Sequence, residues 1–591
     1  MKPNVRESML QIVAILVFFG FLCQFYSAPL TGDFKVYLAT AMEMREKGEW
    51  LRPILYGSSS YFKPPFQYWM TLMGWRVFGF GNFGAYFPSV LALSATIILI
   101  SWVSHFFKKQ SRFFSLPTAG LWFAANIASM CYGVVTQMEV WVALFSMLTG
   151  ILMLKSFDRP QGLFRREWLV AFFFVAGVSA WVKSPVYTAL SYGSLWLFLV
   201  LTRNWRVFRS GEFYLLHGLG CLVAASWFLW AWRVDGDAFL NHYFLKESLN
   251  KTAGNGVSAL RMLYDFTTQC VPLSGLLWCL PGVVWNQFYA GFRFAPTLRR
   301  ACIQALDLLR VPKNAWILAQ LLPALVFFLG FPYRLEAYLY VCLPYWALLM
   351  EWGLPRSRGS AWVAGVSGIF FGSVFFLISV ILTLSGMLAW SVGVLIAVAS
   401  VVLVGVAVEF FRPHRSVHLG GDFSSQFKSA VRWQRFAWGA FFLVVAIRAG
   451  ATSLGERDIS FFRQFMGQHS QVGLGVYDAR RDIWHERPAL GVAVHKYSHA
   501  LLDPQAAVDW LSSGGVVVFD DTYVEGDLLK VRSLLDKKKA QGVAMEVHEV
   551  AWRRSRRALF LPSWEAIKKL VSRNDRSGSQ EWTKEYRILY R

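Results

Sequence analysis

Long apolar blocks separated by short basic loops set the tightest limit on what this 591-residue chain can fold into. A helix that crosses a bilayer needs about 20 mostly apolar residues. Blocks of that kind occupy roughly 9–28, 84–105, 114–131, 138–154, 167–182, 186–202, 213–232, 269–290, 314–330, 337–351, 361–385, 387–409 and 434–452. A chain that is 55% hydrophobic exceeds the usual soluble range, and the excess lies in these blocks rather than in one large core. The 51 Phe and 27 Trp suit helices anchored at bilayer interfaces.

The net charge of +23 has a topological meaning. Basic residues fall in alternate loops: Lys108, Lys109 and Arg112; Lys155, Arg165 and Arg166; Arg203, Arg206 and Arg209; Arg293 to Lys313; Arg356 and Arg358; Arg412 to Arg435. With about thirteen crossings and the N-terminus inside, each of these loops is cytoplasmic, as the positive-inside rule requires. A nucleic-acid partner is not expected, because the basic residues do not form one soluble face. The N-terminal run LQIVAILVFFGFLCQFY exceeds a signal-peptide core and lacks a cleavage site, so an uncleaved first helix is expected. The seven cysteines contain no CxxC pair and give neither a disulfide framework nor a zinc site. His495 and His499 are four apart, but ALGVAVHKY reads as strand, so surface positions are expected. P-loop, GxGxxG and GxSxG signatures are absent.

The expected fold is therefore an all-α polytopic membrane bundle over 1–452, with a small extracytoplasmic α/β domain over 453–591. In that domain QVGLGVY, ALGVAVH, GVVVFDD and AMEVHEV read as strands, and PQAAVDWLSS and DLLKVRSLLDKKKA as helices. The outer side carries a long first loop, about 29–83, with two amphipathic helices, and a second long loop, about 233–268.

Ionisable groups gather at helix ends on that side. They are Asp33, Lys63, Glu139, Lys183, Arg334 and Glu336. Charges at membrane depth are costly and are usually functional. Cations can hold a phosphate leaving group, and a carboxylate can deprotonate or orient a nucleophile. Each also has a plainer reading. Asp33 can N-cap the stretch FKVYLATAMEMREK. Lys63 can be an interfacial lysine. Glu139, Lys183 and Arg334 can be structural ion pairs or headgroup anchors.

The segment Thr31–Phe83 resembles the first extracytoplasmic loop of GT-C glycosyltransferases, in the branch of protein O-mannosyltransferases and lipid A aminoarabinose transferases. Asp33, Ala41, Met44, Gly48, Trp50, Tyr61, Phe62, Lys63, Pro64, Pro65, Tyr68, Trp69, Phe78 and Gly79 carry the likeness. WVKSP at Lys183 and RLEAYLYVCLP at Arg334 resemble two further motifs of the branch. The chain departs from the branch at Phe34, Glu139 and Tyr86, where Glu, Asp and Arg are common, and no metal is assigned. The resemblance implies a polyprenyl-phosphate sugar donor, hexosyl or pentosyl transfer, and a lipid A-type glycolipid or protein acceptor. It needs no cofactor and implies a multi-pass protein of the bacterial inner membrane with a periplasmic C-terminus. Asp33 is then catalytic, Lys63, Arg334 and Lys183 bind the donor phosphate, and Glu139 or Glu336 serves the acceptor or as a second carboxylate. The alternatives are a lipid or sugar transporter or flippase, which would show inverted repeats and charges near the midplane, and a noncatalytic GT-C-like protein.

Overall fold

The computed structural model describes residues 33–108, 118–157, 164–249, 257–274, 276, 311–353, 358–384, 390–411, 423–477, 498–520, 526–541, 547–555 and 583–590. The first apolar block (9–28), most of the block at 269–290, His495 and the strand expected at ALGVAVH lie outside these residues.

The chain enters the described region through α1 (Phe34–Lys47), a short hairpin of β1 (Ile54–Leu55) and β2 (Ser58–Ser59), and α2 (Phe66–Phe78). These form the segment that leads into the bundle. The bundle follows: α3 (Asn82–Lys108), α4 (Thr118–Ala124), α5 (Ile127–Tyr132), α6 (Met138–Ser156), α7 (Arg166–Val182), α8 (Pro185–Leu201) and α9 (Gly211–Phe239). After α9 come a π-helical stretch (Leu240–Leu249), α10 (Ala259–Gln269), α11 (Pro312–Gly330), a 3-10 turn (Glu336–Cys342), α12 (Leu343–Gly353), α13 (Arg358–Leu384) and α14 (Trp390–Val408). Among the described residues, six helices are long and apolar enough to cross a membrane, and α8 is a shorter apolar one. Their outward residues stay apolar: Leu222, Phe370 and Val401 are exposed, as lipid-facing side chains are in a protein that spans a bilayer. Trp362 and Trp390 stand exposed near the starts of α13 and α14, the place of an aromatic belt.

Two apolar blocks are not single helices. The block at 114–131 breaks between α4 and α5, where Asn126 takes an extended conformation and its side chain accepts from the Ser129 N–H at 2.8 Å. The block at 337–351 begins as a 3-10 turn before α12. Hydrogen bonds from a side chain or from a tighter turn replace the missing helical ones, so the backbone stays satisfied.

The last apolar block lies within α15, a 46-residue helix from Phe423 to Gln468 that leads into a five-stranded sheet. The sheet order is β4-β3-β5-β7-β6, with β3 (Leu474–Tyr477), β4 (Ser498–Leu501) and β5 (Val516–Asp520) parallel and β6 (His548–Ser555) and β7 (Thr583–Tyr590) antiparallel. Phe462, Phe465 and Met466 of α15 cover one sheet face. Helices α16 (Pro504–Ser512) and α17 (Gly526–Ala540) cover the other with Val508, Leu511, Leu528 and Val531. His499 lies against Trp510, with ring centres 4.7 Å apart.

This leading segment is pressed onto the bundle where α2 meets α3. A Cβ on Gly74 would run into the Gly84 carbonyl and lie 2.9 Å from Pro88. Gly405 has open space around it. Gly74→Ala is therefore expected to cost about 1–3 kcal/mol by overpacking. It should lower the thermal midpoint of the purified protein in detergent, whereas Gly405→Ala leaves the midpoint near wild type. Equal midpoints for Gly74→Ala and wild type would show that α2 and α3 are not in close contact.

Candidate active site

Helix ends bring the charges together. Gln137 is extended, so α6 starts at Met138 and Glu139 sits in its first turn. Lys183 closes α7, and Ser184 with Pro185 opens α8. A carboxylate at a helix N-terminus and an ammonium at a C-terminus each complement the helix dipole. The two groups meet: Lys183 Nζ donates to Glu139 Oε1 at 2.6 Å, with both side chains almost fully buried. Glu139 Oε2 is buried and has no hydrogen-bond partner among the described residues. Lys183 also stands 4.9 Å from the Tyr338 ring centre and close to Tyr187.

Asp33 precedes α1 in the same neighbourhood. Its side chain makes no capping hydrogen bond, and instead its Oδ2 accepts from the Tyr37 hydroxyl at 3.3 Å. Burial raises its pKa above the ordinary carboxylate value of 3.8, and the nearby Glu139 carboxylate raises it further. Lys63, Lys183 and the Tyr37 hydrogen bond act the other way. Asp33 thus lies within electrostatic range of Lys63, Glu139 and Lys183. Lys63 is itself buried, with its ammonium 4.0 Å from the Phe62 ring centre.

Arg334 and Glu336 lie in the connection after α11. Arg334 is held by carbonyls: Nε donates to Leu329 O at 2.9 Å and a terminal nitrogen to Val257 O at 3.2 Å. It forms no ion pair with a carboxylate among the described residues. Glu336 accepts from Gln269 Nε2 at 2.9 Å, and Gln269 accepts from the Tyr132 hydroxyl at 2.8 Å. No hydrogen bond or ion pair joins Glu336 to Asp33, Lys63, Glu139 or Lys183 among the described residues. Sequence reasoning missed Tyr37, Tyr187 and Tyr338. Tyr37 follows Asp33 by four, the spacing of neighbours on one helix face, whereas Tyr187 follows Lys183 across the break between α7 and α8. No group of three or more His, Cys, Asp or Glu side chains could hold a metal ion among the described residues.

Fold and cluster together define a polytopic helical membrane protein of GT-C-like fold with buried charges at one end of its bundle. The fold is similar to that of ArnT from Cupriavidus metallidurans. Its crystal structure bound to undecaprenyl phosphate superposes with a TM-score of 0.62 at 18% identity, covering 92% of this chain and 96% of that one. The apo form gives 0.61 over 87% and 93%. No family model matches the chain. An undecaprenyl phosphate-alpha-4-amino-4-deoxy-L-arabinose arabinosyl transferase of Pseudomonas fluorescens is 26% identical over 304 residues, 48% of each chain. The Pseudomonas paraeruginosa protein of that name is 26% identical over 354 residues, 57% of this chain and 58% of its own. This chain spans about half the length of the curated relatives it matches.

The electrostatics of Asp33 can be tested apart from turnover. Glu139→Gln removes a neighbour that raises the Asp33 pKa and frees the Lys183 cation, which lowers it, so both changes have the same sign. Asp33 should then ionise at lower pH. Infrared titration of its protonated carboxyl band, assigned by the band's loss in Asp33→Asn, reads this directly. An unmoved midpoint would separate the two carboxylates.

Proposed function

We propose that this protein is a membrane glycosyltransferase that moves a sugar from a polyprenyl-phosphate donor to an extracytoplasmic acceptor. The observation that carries the reading is the cluster of Asp33, Lys63, Glu139 and Lys183 at one end of an ArnT-like bundle. The relatives' names favour a pentose, aminoarabinose, and the acceptor is a lipid A-type glycolipid or a protein. The membrane is the bacterial inner membrane, the division between bundle and outer domain falls near residue 453, and the C-terminus is periplasmic. That division lies within α15.

In this reading the acceptor oxygen attacks the anomeric carbon of the donor sugar. The bond from that carbon to the phosphate oxygen breaks, and polyprenyl phosphate leaves with the electron pair. Lys63 and Arg334 stabilise the leaving phosphate as negative charge grows on it. Arg334 suits this role because its described partners are neutral carbonyls. Lys183 contributes through the same field while paired with Glu139. A hydroxyl acceptor gives its proton to Asp33, whose raised pKa makes it a stronger base. A phosphate acceptor is already ionised, and Asp33 then orients it. Glu139 Oε2 and Glu336 are the groups left to meet the acceptor.

Asp33→Asn keeps a competent helix cap, so a capping role predicts little loss. A general base predicts a fall in turnover of about 10²–10⁴-fold. Purified wild type and variant are compared for sugar release from undecaprenyl phosphate-aminoarabinose. A variant keeping a substantial fraction of wild-type rate removes Asp33 from the chemistry. Lys63→Ala and Arg334→Ala should each weaken donor binding by roughly ten- to a hundredfold, the worth of one charge-assisted contact. A periplasm-active reporter fused after Arg591 checks the orientation, and activity only in the cytoplasm would refute it.

A further inference from the structure

Two outer segments of the chain are fastened together at Tyr61, two residues before Lys63. The Tyr61 side chain is fully buried. Its hydroxyl donates to Asp235 Oδ2, its backbone N–H donates to Nδ1 of His242 at 3.2 Å, and its ring meets Phe239 edge-on at 4.8 Å. Asp235 also faces Arg52, 3.8 Å away. The partners from the second segment come from the end of α9 and the stretch beyond it. There Gly236 takes φ 50 and ψ −123, a conformation that interrupts the helix and that residues with a side chain rarely adopt.

The anchor acts over a short, stiff stretch. Pro64 and Pro65 have fixed φ, and Pro64 keeps Lys63 out of the helical region. Helix α2 begins at Phe66, and its own position is set by close packing on α3. Lys63 is thus held between a fixed tyrosine and a fixed helix start. A hydrogen bond from a hydroxyl to an ionised carboxylate is among the stronger kinds, and burial of the ring excludes water from competing for it.

We infer that Asp235 is a positioning residue for Lys63: by holding the Tyr61 hydroxyl it fixes the lysine where a lipid phosphate is bound. The inference rests on the donor-site reading of Lys63. It gives the second outer segment a part in donor binding although Asp235 touches no donor atom.

The test uses the purified full-length protein and undecaprenyl phosphate as probe, with Kd read by intrinsic tryptophan fluorescence. Asp235→Ala and Tyr61→Phe remove the bond from opposite ends, and Tyr61→Phe keeps the ring packed. Each should weaken binding by about three- to tenfold, part of the worth of a charge-assisted contact. In a Lys63→Ala background neither should weaken it further, because the residue they position is gone. Equal losses in both backgrounds would make the bond purely structural and overturn the inference. If Lys63→Ala weakens binding but the other two do not, the inference alone falls. If Lys63→Ala leaves binding intact, the donor-site reading falls with it.

Discussion

The buried pair of Lys183 and Glu139 is the interaction on which the charged end of the bundle depends. Desolvating two ions costs several kcal/mol each, and a pair recovers this only with good geometry and further hydrogen bonds. Here the geometry is short and direct, at 2.6 Å, but Glu139 Oε2 has no described partner. Such an arrangement is a poor way to gain stability alone. It is a good way to keep a cation and an unfilled acceptor atom at a fixed place between α6, α7 and α8. Asp33 then enters a field already set by that pair, in which burial and the Glu139 carboxylate raise its pKa while Lys63 and Lys183 lower it.

Much of this was legible in the sequence because hydropathy and charge act over whole segments. The crossings at α3, α6, α9, α11, α13 and α14 coincide with apolar blocks, and Glu139 and Lys183 stood out as charges at block ends. Composition says little about where a backbone breaks. Asn126 divides one apolar block because a single side chain can satisfy the freed amide, a local event that a count of apolar residues averages away. The turn at Glu336–Cys342 was hidden in the same way.

The charged members of the candidate site were legible for a related reason. Ionisable residues announce themselves in an apolar chain, whereas tyrosines in an aromatic-rich sequence do not. Tyr37, Tyr187 and Tyr338 line the charged cluster yet look like ordinary interface residues among the chain's 22 tyrosines. Arg334 and Glu336 are two apart in sequence, but one is tied to the carbonyls of Leu329 and Val257 and the other to Gln269. Neighbours along an irregular connection need not share a target.

The helix α15 carries a mechanical consequence. Its 46 residues span about 69 Å at the usual rise, with one end packed beside α14 and the other forming a face of the sheet. A module joined by a loose tether samples orientations at almost no cost. A module joined by a continuous helix inherits the tilt of its stem. Any rotation of the sheet therefore strains the backbone ladder of α15 or drags α14 with it, and a force applied outside the bilayer is delivered as torque inside it.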